Sequence, residues 1–346
     1  MLSLDDSRRL AMLRFPLIVG VVYIHAYDVT AAGQPTPWLD FVRNLMSQGL
    51  ARVAVPTFFL MSGYLFFMGA EFSFVRYRAK LRSRLNTLLV PLVLWNLIAL
   101  AIFGLAQALP ATRGYFSGSN APIASYSPFD YVAAILGIGR PPIAYQFWFL
   151  RDLILLVIFS PLLNVLLRTA PRVFLVALGA CWFADVWPDA VPSLDAVLFF
   201  SLGARASIAG RRIFALDARG PWLLAFYIVV VVCDALTQSQ AMNPYLHRVG
   251  ILLGVGSALY LTSRFARYRD SLVALGASSF FVYAAHEPIL TIARKLAIHA
   301  LRPTQWSAIV LYLALPAVLI AFLVVLYRRI ERALPTTTRV LCGGRD

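Results

Sequence analysis

Acidic residues are scarce in this chain. Its 346 residues include 16 Asp and Glu against 31 Lys and Arg, and all charged residues together make up 14%. Set against 60% hydrophobic residues and a mean hydropathy of +0.74, that excludes a disordered or an ordinary soluble protein. Cysteine is nearly absent too. The three present, Cys181 and Cys233 in apolar runs and Cys342 in the tail, make no disulfide framework, and no CxxC or Cys/His cluster suggests a metal. Also missing are a phosphate-cradling glycine loop, a GxSxG elbow and an HExxH helix. No polar stretch is long enough to bury a core of its own, so a single membrane domain over 1–346 is expected, with 333–346 as a tail.

What the chain does have is apolar runs. A bilayer core of roughly 30 Å takes about 20 apolar residues per helix. By that ruler the sequence predicts an all-α polytopic bundle of about ten spans, near 10–30, 49–69, 85–109, 146–167, 173–190, 194–209, 221–237, 248–263, 272–296 and 304–327. If the N-terminus is inside, Lys and Arg collect in the inner segments, from Arg8, Arg9 and Arg14 to Arg328, Arg329 and Arg332. The whole formal charge of +15 then lies on the inner side and the outer side balances to zero. Both termini are therefore expected in the cytoplasm. The excess of base reads as an orientation signal rather than as a site for nucleic acid. A cleavable signal peptide is the competing account of 8–32, with Thr30-Ala31-Ala32 a poor cleavage site; a multi-span protein does not need cleavage, and a retained helix is expected.

The first span, LRFPLIVGVVYIHAYD, sets ten residues between Arg14 and His25. Eleven steps of about 100° come to three turns plus about 20°, so both side chains share one helix face, about 16.5 Å apart along the axis. A cation at the inner mouth and an imidazole deeper on the same face describe a channel wall better than a lipid-facing stripe. A neutral imidazole with its ordinary pKa near 6.5 is able to take a proton from a hydroxyl at pH 7. The segment before the third span concentrates base at Arg76, Arg78, Lys80, Arg82 and Arg84. If it is helical, Arg76, Lys80 and Arg84 form a stripe of like charge that an anion would relieve, either a lipid headgroup or a phosphorylated cofactor. Other polar intruders are Arg52, Arg151 with Asp152, Asp185, Asp195, Arg205, Asp234 and His286 with Glu287, several of which pair readily as structural bridges. In SSFFVYAAHEPILTI a base, an acid and a helix breaker coincide. The outer loop 110–145 holds Tyr115, Phe116, Tyr126, Phe129, Tyr131 and Tyr145, suited to stacking on sugars or to the membrane interface.

Five strings, in order along the chain, resemble the membrane-bound acyltransferase 3 family: the Arg14 to His25 pair, VPTFFLMSGYLF, the Arg-rich lead into LLVPLVLWN, FWFLRDLILLVIFSPLL and LGASSFFVYAAHEPIL. The resemblance implies a ten-span protein that O-acylates, most often O-acetylates, the carbohydrate of a surface polysaccharide, lipopolysaccharide, peptidoglycan or a lipid-linked glycan. It also implies cytosolic acetyl-CoA or another acyl-CoA as donor, no metal, and a bacterial cytoplasmic (inner) membrane location. By the same resemblance His25 matches the family's essential histidine and Arg14 its partner arginine. The family's Arg-x-x-Arg pair is not reproduced. Here the spacings are Arg78-x-x-x-Arg82 and Arg82-x-Arg84, which leaves open which of Arg76, Arg78, Lys80, Arg82 and Arg84 holds the donor's phosphates. No soluble esterase-like domain follows the tenth run, so transfer is expected to finish within the bundle.

The expected chemistry is general-base catalysis by His25, or an acyl-histidine relay, with Trp148, Arg151, His286 and Glu287 as candidates for binding the glycan acceptor. A transporter or flippase of a lipid-linked or anionic solute fits the intramembrane charges as well. No symmetry between the chain halves favours it.

Overall fold

The computed structural model describes residues 3–30, 36–69, 72–110, 112–113, 121–188 and 191–344. Ala31, Ala32, Tyr115 and Phe116, named above, lie outside that set. No strand occurs among the described residues, and helix is the form that lets so apolar a chain satisfy its own backbone. Helices start where the sequence supplies a cap. Ser3, Ser73 and Ser193 accept from the backbone N–H three residues on, and Ser127 with Asp130 closes a reciprocal capping box. Those hydrogen bonds from Ser127 hold the Asp130 carboxyl below the usual carboxylate range.

In chain order the helices are α1 (Leu4–His25), α2 (Pro37–Arg43), α3 (Ala54–Phe67), α4 (Phe74–Ala108), α5 (Pro128–Leu136), α6 (Trp148–Ile158), α7 (Ser160–Thr169), α8 (Pro171–Ala184), α9 (Leu194–Ile208), α10 (Gly220–Leu236), α11 (Asn243–Arg264), α12 (Arg269–Gly276), α13 (Ser279–Leu301), α14 (Gln305–Ala333) and α15 (Pro335–Leu341). A π-turn at Asn44–Leu50 and a 3-10 turn at Ala51–Val53 join α2 to α3 in one long rod.

Among the described residues, four helical stretches are long and apolar enough to cross a membrane: Pro37–Phe67, Phe74–Ala108, Asp217–Leu236 and Gln305–Ala333. Two bent pairs, Tyr145–Ile158 with Ser160–Thr169 and Asn243–Arg264 with Ala266–Gly276, raise the number to six if each is one span. Several of the ten apolar runs form short or interrupted helices. α8 and α9 have 14 and 15 residues, about 21–23 Å of helix at 1.5 Å per residue. α1 begins among charges, and α13 is broken at Glu287. The basic segment before the third span is helical, the first third of α4.

Side-chain packing supplies most of the cohesion between such helices. The tightest crossing sets α3 against α9, where a methyl group at Gly63 would lie 2.0 Å from the Phe200 carbonyl and one at Gly203 would lie 1.9 Å from that of Leu60. Only glycine allows the two backbones so close. Phe59, Phe147, Phe199, Phe200 and Tyr312 are among the fully buried side chains that fill the interior of the bundle.

One end of the bundle is basic. There α1 is laced to its neighbours by Arg9–Asp217 (2.7 Å), Arg212–Asp6 (2.7 Å) and Arg269–Asp5 (2.9 Å). The hydrogen bond from Arg212 holds the Asp6 carboxyl below its ordinary range. The tail is not free. α15 folds back on α4, with Trp95 Nε1 donating to the Leu341 carbonyl (3.1 Å) and Gly343, at φ +69°, seated against the Thr87 carbonyl.

Candidate active site

Pro288 shapes the site. It has no N–H to give, so the Ala284 carbonyl loses its helical partner and the residue before the proline is pushed to extended backbone. Glu287 accordingly has φ −103° and ψ 139°, and α13 breaks there. The break is repaired from outside the helix. Gln146 Nε2 donates to the Ala284 carbonyl (3.2 Å), and the Tyr283 hydroxyl donates back to the Gln146 carbonyl (2.7 Å). The segment before α6 is thereby tied to the broken helix. This brings Tyr145 beside Glu287.

α1 ends on the other side of the same spot. Its last residue is His25, whose free carbonyl accepts from Arg294 Nη1 (2.9 Å), while Arg294 also pairs with Asp28 (3.1 Å). A cation at a helix C-terminus is the favourable arrangement. The His25 ring then meets Tyr145 and His286, with Glu287 beyond the tyrosine. Nδ1 is 2.8 Å from the Tyr145 hydroxyl, that hydroxyl is 3.3 Å from Glu287 Oε1, and the His286 ring centre lies 5.1 Å from that of His25. Thr291 donates to the same Glu287 oxygen (3.1 Å).

The proton order in this chain follows from the acceptors. Glu287, as a carboxylate, only accepts, so Tyr145 donates to it, and the Tyr145 oxygen accepts from His25 Nδ1–H. His25 Nε2 is left with its lone pair. His286 is fully buried, and its Nδ1 faces the Tyr283 carbonyl (2.7 Å). Its Nε2 is buried with no hydrogen-bond partner, an unpaired acceptor within the cluster. Tyr145 is 41% exposed, and Asp28 is also exposed, so the cluster opens away from the basic end. Arg52, exposed on the 3-10 turn, is held by Gln48 Oε1 (2.8 Å) and is near enough for its charge to act on His25.

The five basic residues of α4 separate by face. Arg76 and Lys80 line a cavity of about 280 Å³ together with Arg168, Ser207 and the rings of Phe66, Phe67, Phe72 and Tyr77. Lys80 Nζ also donates to the carbonyls of Phe66 and Met68 that end α3. Arg84, two turns further along the stripe from Arg76, faces Arg14 closely enough for the two to repel. Arg78 and Arg82 are exposed and do not line that cavity. The stripe therefore runs from a polar cavity at the basic end to the arginine that shares a helix face with His25.

Of the acceptor candidates, His286 and Glu287 join His25. Trp148 packs on Phe59, and Arg151 is engaged by Asp152 (3.0 Å) and the Gly137 carbonyl (3.1 Å). Tyr145 had appeared only as a loop aromatic, and Gln146, Thr291 and Arg294 were not singled out by the sequence. A signal for Gln146 existed: Pro288 requires some donor for the Ala284 carbonyl, but pairing it with a residue 138 positions away needs the fold.

Residues 8–328 match the model of the acyltransferase 3 family, described as an acyltransferase domain. The chain is also similar to the succinoglycan biosynthesis protein ExoH of Rhizobium meliloti (strain 1021), 26% identical over 362 residues that cover 98% of this chain and 92% of the relative. No solved structure matches. With the family's pattern running from before Arg14 to beyond the broken helix, the chain belongs to the acyltransferase 3 family, as a multi-pass membrane enzyme that transfers acyl groups.

Proposed function

We propose that the protein is an O-acyltransferase of the bacterial inner membrane that moves an acyl group, acetyl foremost, from cytosolic acyl-CoA to a hydroxyl of a surface or lipid-linked glycan. The basic end is the cytoplasmic one in this reading, with about ten passages and both termini inside. The observation that supports it best is the position of His25. Its Nδ1 is engaged toward Tyr145 and Glu287, and three helical turns below on the same face lies an arginine that repels Arg84. The relative's part in succinoglycan biosynthesis supports a glycan acceptor.

In the reaction, the basic stripe and Arg14 bind the donor's phosphates, and the pantetheine arm reaches along α1. His25 Nε2 takes the proton of the acceptor hydroxyl as its oxygen attacks the thioester carbonyl. The tetrahedral intermediate collapses, the C–S bond breaks, and the sulfur recovers the proton from His25 as free CoA. Tyr145 and Glu287 hold the imidazole in the tautomer that keeps Nε2 unprotonated and stabilise the imidazolium when it forms. His286 Nε2 offers an acceptor to a second sugar hydroxyl.

His25→Ala should fold, migrate and melt as the wild type does, and lose at least about 10²-fold in acceptor-dependent CoA release. The assay uses purified protein, acetyl-CoA and a glycan extract. Near wild-type release by the variant would remove His25 from the mechanism. Flux of lipid-linked glycan into vesicles without thioester cleavage would instead mark a transporter.

A further inference from the structure

A second cavity at the basic end is separate from the stripe and from His25. It encloses about 430 Å³ between the N-terminal turn of α8 and the C-terminal turns of α9, and its walls carry Arg172, Arg205 and Arg211 without a single acidic side chain. Arg205 is anchored through Nη1 to the Leu167 carbonyl (3.2 Å). Arg172 and Arg211 are exposed at the rim. Three like charges around one hollow repel unless an anion sits between them. Guanidinium groups, with their planar forks, suit phosphate oxygens.

The rest of the lining is apolar, and its two leucines lie deeper. Leu175 stands one turn into α8 from Arg172, and Leu202 stands about one turn into α9 from Arg205, both in the lining. The cavity is therefore graded, with charge at the rim and hydrocarbon below. Beside it, α8 exposes Val173 (73%) and Val176 (71%), a surface that only lipid would cover in a membrane-spanning chain. A soluble phosphate compound would use the arginines and leave the apolar wall bare. A phospholipid uses both.

We propose that this cavity binds one anionic phospholipid of the leaflet at the basic end. Its phosphodiester is held by Arg172, Arg205 and Arg211, and an acyl chain runs along Leu175 and Leu202. The site is peripheral to the transfer chemistry, and its occupancy does not depend on what the enzyme acylates.

Native mass spectrometry of the full chain released from detergent tests this, with dioleoyl phosphatidylglycerol and dioleoyl phosphatidylcholine as matched probes and with glycerol 3-phosphate and coenzyme A as soluble competitors. Expected is one retained phosphatidylglycerol per chain, little phosphatidylcholine, and about tenfold or greater weakening in the Arg172→Gln/Arg211→Gln double variant. Ala206→Trp fills the cavity and keeps all three arginines; it should lose the lipid as well. Equal retention of phosphatidylglycerol by wild type and both variants overturns the proposal, as does equal retention of the two lipids. Displacement by glycerol 3-phosphate would assign the cavity to a free phosphate compound, and displacement by coenzyme A would assign it to the donor. Either result also overturns the lipid site. Loss of CoA-release activity in His25→Ala is independent of all these outcomes.

Discussion

A tyrosine hydroxyl has one proton to donate, and Tyr145 stands between a carboxylate that only accepts and an imidazole that is able to do either. The geometry, with His25 Nδ1 at 2.8 Å and Glu287 Oε1 at 3.3 Å, makes Tyr145 the link that couples the acid to the base. Tyr145→Phe keeps the ring, which lies edge-on to His25 at 5.0 Å between centres, and removes only the link. Under the proposed mechanism kcat should fall by roughly 10–100-fold, the usual loss when the partner that orients a working histidine is removed. KM for acyl-CoA should stay within about twofold, because no donor-binding residue is touched. Steady-state kinetics of CoA release separates the two. An unchanged kcat would show that His25 does not need its orientation from this side.

The elements explain why part of the site was legible in the sequence and part was not. His286, Glu287 and Pro288 could be read directly, because a base, an acid and a helix breaker inside an apolar run conflict with an ordinary span. The spacing of Arg14 and His25 was equally plain, since α1 is continuous between them. What hid Tyr145 and Gln146 is that they lie outside regular helix, in a segment whose position is set by the carbonyl that Pro288 leaves open. A run of apolar residues also does not report where a helix bends, as it does by 63° between α6 and α7. At the basic end of α1 the acids and bases show no partners along the chain, and the fold pairs Asp6 with Arg212. Because the folded carboxyl titrates below its unfolded value near 3.9, its contribution is present above that value and is lost as pH falls through the folded one. Asp6→Asn should therefore melt below the wild type at pH 7, with the gap closing as pH drops from about 5 toward 3. Thermal unfolding in detergent across that range checks it; a gap that does not change with pH would mean the loss is one of packing rather than charge.

Across the whole molecule, charge and chemistry are separated along one axis. Positive residues gather at one end, the His25 cluster opens toward the other, and Arg14 with Arg84 lies on the line between them. Two cations within electrostatic reach repel each other, and an anion between them offsets the repulsion. If both grip the same donor phosphate, their effects on binding cannot be independent. Arg14→Gln and Arg84→Gln should each raise KM for acyl-CoA by roughly tenfold, as expected for one charge-assisted hydrogen bond, with kcat at saturation little changed. The double variant should fall short of or exceed the product of the two single effects by a clear margin, since the second arginine binds a phosphate that the first no longer positions. A double-mutant cycle on KM, repeated at low and high salt, measures that coupling. Strictly multiplicative effects would place the two arginines on different groups and remove the shared phosphate site from the path to His25.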